Sequence, residues 1–559
     1  MTQKLYQVFT LVLFLMLTTA MVSCGDSELL KELAAEYGAG DDASDSAGDA
    51  DGDGVSDADD LCDGTDDALR GYRYKDDDGD GFLVSTAPDQ YCSDQSAVGY
   101  SITATSASQL QMDNLDQDDS SALTVVTGTS TTELVLGRDF DEDSTLNETY
   151  PIYIIANPDQ WLDFTRKCSY DGADVTTSCR YNVILATNID FASKDGSALD
   201  GGSGSDGKLT LTEYESTLYS LGKGFSPQNW NSFKGVIDGN GYAIKNLNKS
   251  NTSQNISNAG IINYGYAPCL VKNFGYEGDI SNGKFHAGGI MVSSLGCTLK
   301  RVYYKGSLSA TDSDAADADA AGLVVNAIGS GTTTLIEDSY VQGSVQGRRH
   351  VGGLVAYHSE GELKISRSYN EATVTNPAGL GSSGVAGLLG TGGGFNDEEY
   401  IEYSYNTGTI TCTDAGYCAG LVGQGNNLKI KNSYNLGTVD ATNHSYRGGL
   451  AAKAYNGSYS PNIIENSYNA GSIPYSAITG SANSQVQMKN NYWLDTSSGS
   501  AGLSGSYSGS INQAVSKTDA ELKTQATFNG WDFTTVWAID EGSSYPYLRE
   551  NAPATKPGS

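Results

Sequence analysis

The sequence predicts an all-β fold, a right-handed parallel β-helix preceded by an extended acidic stalk, and three observations carry that prediction. The first is a repeat. Ser339-Tyr340-Val341-Gln342-Gly343, Ser368-Tyr369-Asn370, Ser404-Tyr405-Asn406-Thr407-Gly408, Ser433-Tyr434-Asn435-Leu436-Gly437 and Ser467-Tyr468-Asn469-Ala470-Gly471 return at intervals of about 30 residues, the range of solenoids. The second is an offset signature that alternates with it: Gly288-Gly289-Ile290, Ala321-Gly322-Leu323, Gly352-Gly353-Leu354, Ala386-Gly387-Leu388, Ala419-Gly420-Leu421 and Gly448-Gly449-Leu450. The third is texture. Runs such as Leu363 to Tyr369 alternate apolar and polar residues of β-branched and aromatic type, with Gly or Asn between them, which is the pattern of strand and corner rather than helix.

Three short strands and three corners use about 30 residues, and coils stacked at about 4.8 Å pair every backbone amide with the coil above and below. The expected interior is a column of Val, Ile and Leu. The glycines suit corners that need positive φ or a close backbone approach. Tyr340, Tyr369, Tyr405, Tyr434 and Tyr468 should stack as a ladder on one edge, and Asn370, Asn406, Asn435 and Asn469 as an amide ladder beside it. A tyrosine ladder facing solvent is also a strip on which sugars could stack.

The open ends of such a rod need covers. Asn157-Pro158-Asp159-Gln160-Trp161 opens a capped helix suited to plug the first coil. Thr518-Asp519-Ala520-Glu521 is a capping box, and with the following Trp531, Phe533 and Trp537 it is expected to seal the last one. The rod then occupies 130–550, and 551–559, with Pro553 and Pro557, forms a frayed tail.

At net charge −35 and pI ≈ 4.2 the chain is no general nucleic-acid binder, and divalent cations are the expected counterions. Lys4, an apolar run from Val8 to Ala20 and small residues up to Ser23 read as an export signal over 1–23. Met21-Val22-Ser23-Cys24 resembles a bacterial lipobox. That resemblance implies a lipidated Cys24 as the membrane anchor, and Gly25 directly after it, where inner-membrane retention has Asp, implies the outer membrane or cell surface. Residues 24–40 carry a short spacer helix around Glu28–Ala35, closed by Gly38. The eight other cysteines fall in close pairs, Cys62 with Cys92, Cys168 with Cys179, Cys269 with Cys297 and Cys412 with Cys418. In an exported chain this favours disulfides, with the connectivity open.

From 41 to 120 the composition is Asp and Gly with few apolar residues, which cannot bury a core unaided. Asp49, Asp51, Asp53, Asp57 and Asp60 place carboxylates at alternate and later positions around a turn glycine, the means by which a short loop gives a hard cation six to eight oxygens. Asp76, Asp78 and Asp80 repeat the front half, with Asp116, Asp118 and Asp119 available to complete it. The stretch resembles thrombospondin type 3 repeats, which implies Ca2+ as cofactor and a stalk that stiffens when calcium binds.

Phe233-Lys234-Gly235-Val236-Ile237-Asp238-Gly239-Asn240-Gly241-Tyr242, followed by the two repeating signatures and closed by Asn491-Tyr492-Trp493 and Tyr545-Pro546-Tyr547-Leu548, resembles bacterial surface proteins carrying GLUG motifs. The resemblance covers about 150–548 and implies a right-handed β-helix of adhesin-like exported proteins, some with attached peptidase domains. None of His286, His350, His358 and His444 belongs to a His-Glu-x-x-His helix, and there is no nucleophile elbow or P-loop. Glu337, Asp338, Glu362, Asp397, Glu398, Glu399 and Asp414 are scattered over loops. Asp312 to Asp319 reads as a solvated insertion, and Arg348-Arg349-His350 as a solvated corner.

The expectation is therefore a chain without enzymatic activity: a cell-envelope lipoprotein displaying a β-helix for adhesion, its faces and irregular loops such as Thr391–Tyr400 binding an extracellular glycan or protein. The alternative is a carbohydrate-active β-helix enzyme, a polysaccharide lyase or hydrolase. A passive envelope component is a third possibility.

Overall fold

The computed structural model describes four early strands, Gly71–Lys75, Asp89–Tyr91, Tyr100–Ala104 and Thr124–Val126, and most of 152–559. In the latter span the gaps of six residues or more are 170–178, 194–208, 212–220, 252–257, 311–317, 378–383 and 501–513. The chain divides into two compact units, and the first, 1–70 with 92–94, lies outside the described residues. So do the expected export signal, Cys24, the spacer helix, every proposed calcium ligand from Asp49 to Asp119, and the Cys62 and Cys92 pair. The first three early strands form a small antiparallel sheet.

From Ile152 the chain is a β-solenoid of stacked, parallel coils. One coil shows the plan: Glu362–Ser366, a left-handed corner at Arg367 with φ 46°, then Tyr369–Asn370, Thr373–Asn376, Gly384–Ala386 and Leu389–Gly392. The coil thus has five short strands where three were expected, because the tight corners interrupt the pairing. Each strand pairs in parallel with its counterpart on the next coil, Ile365 with Ile401, Tyr369 with Tyr405, Val374 with Ile410, Val385 with Cys418 and Leu389 with Val422. The strand before the Gly-Leu turn, Gly384–Ala386 in this coil, builds a nine-stranded sheet ending at Ser498–Ser500. The strand after the Gly-Leu turn builds an eight-stranded one ending at Thr479–Ala482.

Inside, Ile336, Ile365, Ile401, Ile430, Ile464 and Met488 stack in register and are at most 1% exposed. Burying each contributes about 1.5–3 kcal/mol, the main driving force for winding.

The Ser-Tyr-Asn signature is explained by the corner that precedes it. Asn273, Arg301, Asp338, Arg367, Tyr403, Asn432, Asn466 and Asn490 form a column of left-handed residues, φ 46–55° throughout. Such a corner turns the next amide out of the regular ladder, and the serine supplies its partner. Ser339 N–H donates to Ser368 Oγ, Ser368 N–H to Ser404 Oγ, Ser404 N–H to Ser433 Oγ and Ser433 N–H to Ser467 Oγ, at 3.1–3.2 Å. Each hydroxyl donates in turn to the carbonyl two residues back, as Ser404 Oγ does to Glu402. Buried polar groups are tolerable only when paired in this way.

The asparagines form the expected ladder: Asn370 Nδ2 donates to Asn406 Oδ1, Asn406 to Asn435 and Asn435 to Asn469, each at 2.8 Å and fully buried. They also fix the second signature. A Cβ on Gly387 would lie 2.4 Å from the Asn406 side chain, and Gly353, Gly420 and Gly449 stand in the same relation to Asn370, Asn435 and Asn469. The two motifs are one packing unit, read twice per coil.

At the beginning of the rod a helix, α1 (Pro158–Ser169), is capped by Asn157 Oδ1, which accepts from Gln160 N–H, and inserts fully buried Trp161 and Phe164 into the core. Disulfides join Cys168 to Cys179, Cys269 to Cys297 and Cys412 to Cys418.

The far end departs from expectation. A short helix, α2 (Asp519–Leu522), has the Thr518–Glu521 capping box, but Phe528, Trp531, Trp537 and Leu548 do not sit over the last coil. They pack along the flank of four coils, over Tyr405, Tyr434, Tyr468 and Tyr492. The final residues, expected to fray, are tied to this segment: Tyr545 N–H donates to Pro557 O, and Lys556 pairs with Asp540. Proline at 553 and 557 is buried and stops the backbone rather than loosening it.

Candidate binding surface

Two surfaces run along the rod, and the first is the tyrosine ladder. Tyr303, Tyr340, Tyr369, Tyr405, Tyr434 and Tyr468 stack at 4.8–5.1 Å with planes within 10° of parallel. The last three are fully buried under the C-terminal aromatics, while the first three are part-exposed. Ring faces are what a sugar stacks on, and here each is taken by the next rung. Even the first ring is occupied, since Gly275 approaches so closely that a Cβ there would meet Tyr303 at 2.2 Å. The strip offers only edges and hydroxyls, one of which, Tyr303 Oη, donates to Glu277 at 2.9 Å. Burial first, and the Glu277 carboxylate second, push that phenol far above its usual range. The sugar-stacking expectation for this strip is corrected accordingly.

The scattered acidic residues resolve into committed partners. Arg367 bridges Glu337 and Asp338. Glu362 accepts from Thr333 Oγ1 at 2.9 Å and pairs with Lys364 at 3.0 Å. Glu398 meets Lys429 at 2.9 Å and the Tyr400 hydroxyl, whose hydrogen bond is the chief reason its carboxyl lies below the ordinary value. Tyr400 is pushed up to about 12, mainly by burial. Glu399 turns inward and is wholly buried, 3.0 Å from His358 Nδ1 and accepting from Asn426 N–H. Gly392 makes room for it, since a Cβ there would come within 2.3 Å of the carboxylate. His358 Nε2 is buried with no hydrogen-bond partner. Asp397 and Asp414 lie outside the described residues.

The second surface is the re-entrant angle where the nine- and eight-stranded sheets meet at the Gly-Leu turn. Its floor is made of small side chains set apart from the main core, Val292, Ala321, Val325 and Ala356, then Ala386, Ala419 and Ala452, all fully buried. One rim carries Asn258, His286, Asp319, His350, Gly384, Tyr417 and Tyr446 on successive coils. The other carries Tyr264, Ser293, Asn326, Tyr357, Thr391, Gln424, Lys453 and Ser481. Contacts across the angle show that the rims face each other. His350 stacks on Tyr357 at 4.8 Å, Thr391 Oγ1 lies 2.4 Å from where a Gly384 Cβ would be, and Lys453 Nζ sits 4.9 and 5.6 Å from the centroids of the Tyr417 and Tyr446 rings.

The angle corrects two further expectations. Asp319, read as part of a solvated insertion, is 4% exposed, and His350, read as part of a solvated corner, is 6% exposed. Burial is possible because they meet: His350 Nδ1 lies 3.1 Å and His286 Nδ1 3.8 Å from the Asp319 carboxylate, and His350 N–H donates to it at 2.9 Å. Burial lowers the His286 pKa and outweighs the opposing pull of Asp319, with His350 and Arg349 adding to the fall. Asp319 lies between the two imidazoles, and no group of three metal-ligating side chains occurs among the described residues.

These rim residues do not stand out in the sequence, because they repeat a position and not a residue type. The signal was positional. From His286 onward one rim stands three residues before each Gly of the Gly-Leu or Gly-Ile step, and the other stands three residues after its Leu or Ile.

No protein-family model matches the chain, and no curated protein does. Among solved structures, it is similar to a protein from Bacteroides ovatus provisionally named an immunoglobulin A1 protease. The identity is 16% and the TM-score 0.30, over 71% of this chain and 92% of that one. It is also similar to an IgA1 protease, at 15% identity and a TM-score of 0.30, over 63% of this chain and 23% of that one. Both names run against the expectation of a chain without enzymatic activity, and that expectation is dropped. At such identity and TM-score the likeness says nothing of this chain's own substrates.

Proposed function

We propose that the protein is an envelope-anchored β-helical rod whose re-entrant angle is a ligand-binding surface facing the cell exterior. One observation carries this reading. The ladders that follow the left-handed corner repeat their residue, Ser upon Ser, Tyr upon Tyr, Asn upon Asn, whereas the two rims of the angle change chemistry from coil to coil on the same backbone. A position that the fold leaves free to vary, lined with aromatic, imidazole, hydroxyl, amide and cationic groups over a small-residue floor, is where recognition can be built without cost to winding.

The lipobox-like Met21–Cys24, the Asp-rich stretch with its resemblance to calcium-binding repeats, and the GLUG-like signatures support an exported, lipid-held, calcium-stiffened display protein. The test is an array of glycans and envelope or host-surface proteins probed with the full chain. Binding that is lost in Tyr357→Ala and Tyr446→Ala but kept in Lys489→Ala, an outer-face control paired with Glu465, is the expected result. Binding unchanged by both rim substitutions would remove the angle from consideration.

A further inference from the structure

We infer that the C-terminal part of the re-entrant angle, around Tyr417, Tyr446 and Lys453, is a subsite for a uronate-bearing glycan chain. This deepens the reading above and rests on it. Four observations converge.

The first is charge. Residues 415–494 hold five Lys or Arg and two acidic residues, Asp440 and Glu465, a local charge of +3 in a chain of −35. Lys429, Lys431 and Lys489 are ion-paired with glutamates on the outer faces, Arg447 lies 4.3 Å from the Tyr475 ring centroid, and Lys453 stands on the rim of the angle. Its Nζ stands over both tyrosine rings and 3.2 Å from Tyr417 Oη. A cation held over rings in an otherwise anionic molecule attracts a carboxylate and repels little of its surroundings.

The second is the ring geometry. Tyr417 and Tyr446 stack on each other at 5.4 Å, but the rung before Tyr417 is Gly384, which adds no side chain over the other face of that ring. In the long ladder both faces are consumed; here, among the described residues, the column places no second ring on Tyr417, and the sugar ring is assigned to that face.

The third is an unspent hydroxyl. Thr391 Oγ1, on the opposite rim, points at Gly384, is 6% exposed as a residue and has no hydrogen-bond partner. A buried hydroxyl without a partner is costly, and a ligand hydroxyl entering over Gly384 would satisfy it.

The fourth is pitch. Successive rungs lie about 4.8 Å apart, close to the rise per sugar of an extended polysaccharide, so a chain laid along the angle meets a new rung with each residue. Ring face, hydroxyl and cation together select a sugar that carries a carboxylate.

The experiment uses the full chain with polygalacturonate, its methyl ester, which has the same backbone without charge, and a single-stranded oligodeoxynucleotide as a polyanion lacking pyranose rings. Calorimetric titration should give polygalacturonate an affinity about tenfold or more above the methyl ester, with the oligonucleotide weaker than both. Lys453→Met and Tyr417→Ala should each lower polygalacturonate affinity about tenfold, while Lys453→Arg retains it; circular dichroism of each variant checks that the coils remain wound. Equal affinity for the acid and the ester, indifference to Lys453→Met, or an oligonucleotide that binds as tightly would each overturn the inference. Should the chain bind neutral glycans or proteins but not polygalacturonate, this inference fails and the proposed function stands. If it binds nothing across the arrays, both fail.

Discussion

The left-handed corner and the re-entrant angle are built on the same coils and obey opposite rules. At the corner, Ser404, Tyr405 and Asn406 are fully buried, and each is hydrogen-bonded or stacked to the same residue type above and below. In the angle, Tyr357, Thr391, Gln424 and Lys453 follow one another with nothing in common except their register. A ladder of identical polar residues is cooperative, so one defect leaves two neighbours unpaired. A column of unlike residues has no such partners to lose. Stability is therefore concentrated where the sequence is monotonous, and chemical specificity where it is not.

The sharpest way to break this contrast is Asn406→Ala. The amide accepts from Asn370 and donates to Asn435 and to Gly408 O. Its removal leaves the buried Asn435 Oδ1 without its donor, and the expected loss is about 3 kcal/mol in guanidinium unfolding. A loss below about 1 kcal/mol would mean that the ladder is decoration and the apolar columns alone set stability.

A second, opposite effect is expected where the interior column itself is impure. Lys249 occupies the position held by Ile280 and Leu308 on the next coils, and its Nζ donates to Gly260 O at 2.7 Å. Burial lowers its pKa from 10.5 to about 7. Between those values the unfolded chain holds a proton that the folded one has released, so stability rises as pH increases from 7 towards 10.5 and is level below 7. Lys249→Met should stabilise by about 2 kcal/mol at pH 7 and flatten that rise, both visible in melts at pH 7 and 9.5. A flat profile in the parent protein would show that the lysine keeps its charge in the core.

The corner column permits a smaller gain. Arg301 is exposed and left-handed, φ 55°, whereas Asn466 and Asn490 occupy the same column with a side chain suited to it and bond to each other at 3.1 Å. Arg301→Asn exchanges a strained residue for a tolerant one and should stabilise by about 1 kcal/mol, offset in part by the lost bond to Asn273.

The corner was legible in the sequence for the same reason that it is stable. Ser-Tyr-Asn-x-Gly repeats because every coil must pair the same amide and accommodate the same ladder, and a repeat is what a single sequence displays. The paired cysteines and both helix caps were legible because their signals are local. The inward pair of His358 and Glu399 was not, since the two are 41 residues apart and one of two adjacent glutamates, Glu398 and Glu399, faces out while the other faces in. Nor was the course of the C-terminal aromatics. Trp531 and Trp537 announce a cover but not which surface they cover, and they pack on the flank formed by Tyr405, Tyr434, Tyr468 and Tyr492.

The smallest expected effect tests the other half of the contrast. Asn326 and Gln424 stand on one rim, three rungs apart, each part-exposed and flanked by unlike neighbours. At about 14 Å separation their effects should add, and because neither belongs to a ladder, the double variant Asn326→Ala with Gln424→Ala should change unfolding free energy by less than about 0.5 kcal/mol. The Asn406→Ala variant removes one amide and the double variant two, so counting hydrogen-bonding groups predicts the reverse order. If the double variant proves as costly as the single one, the rims contribute to winding after all, and their variety would reflect packing rather than recognition.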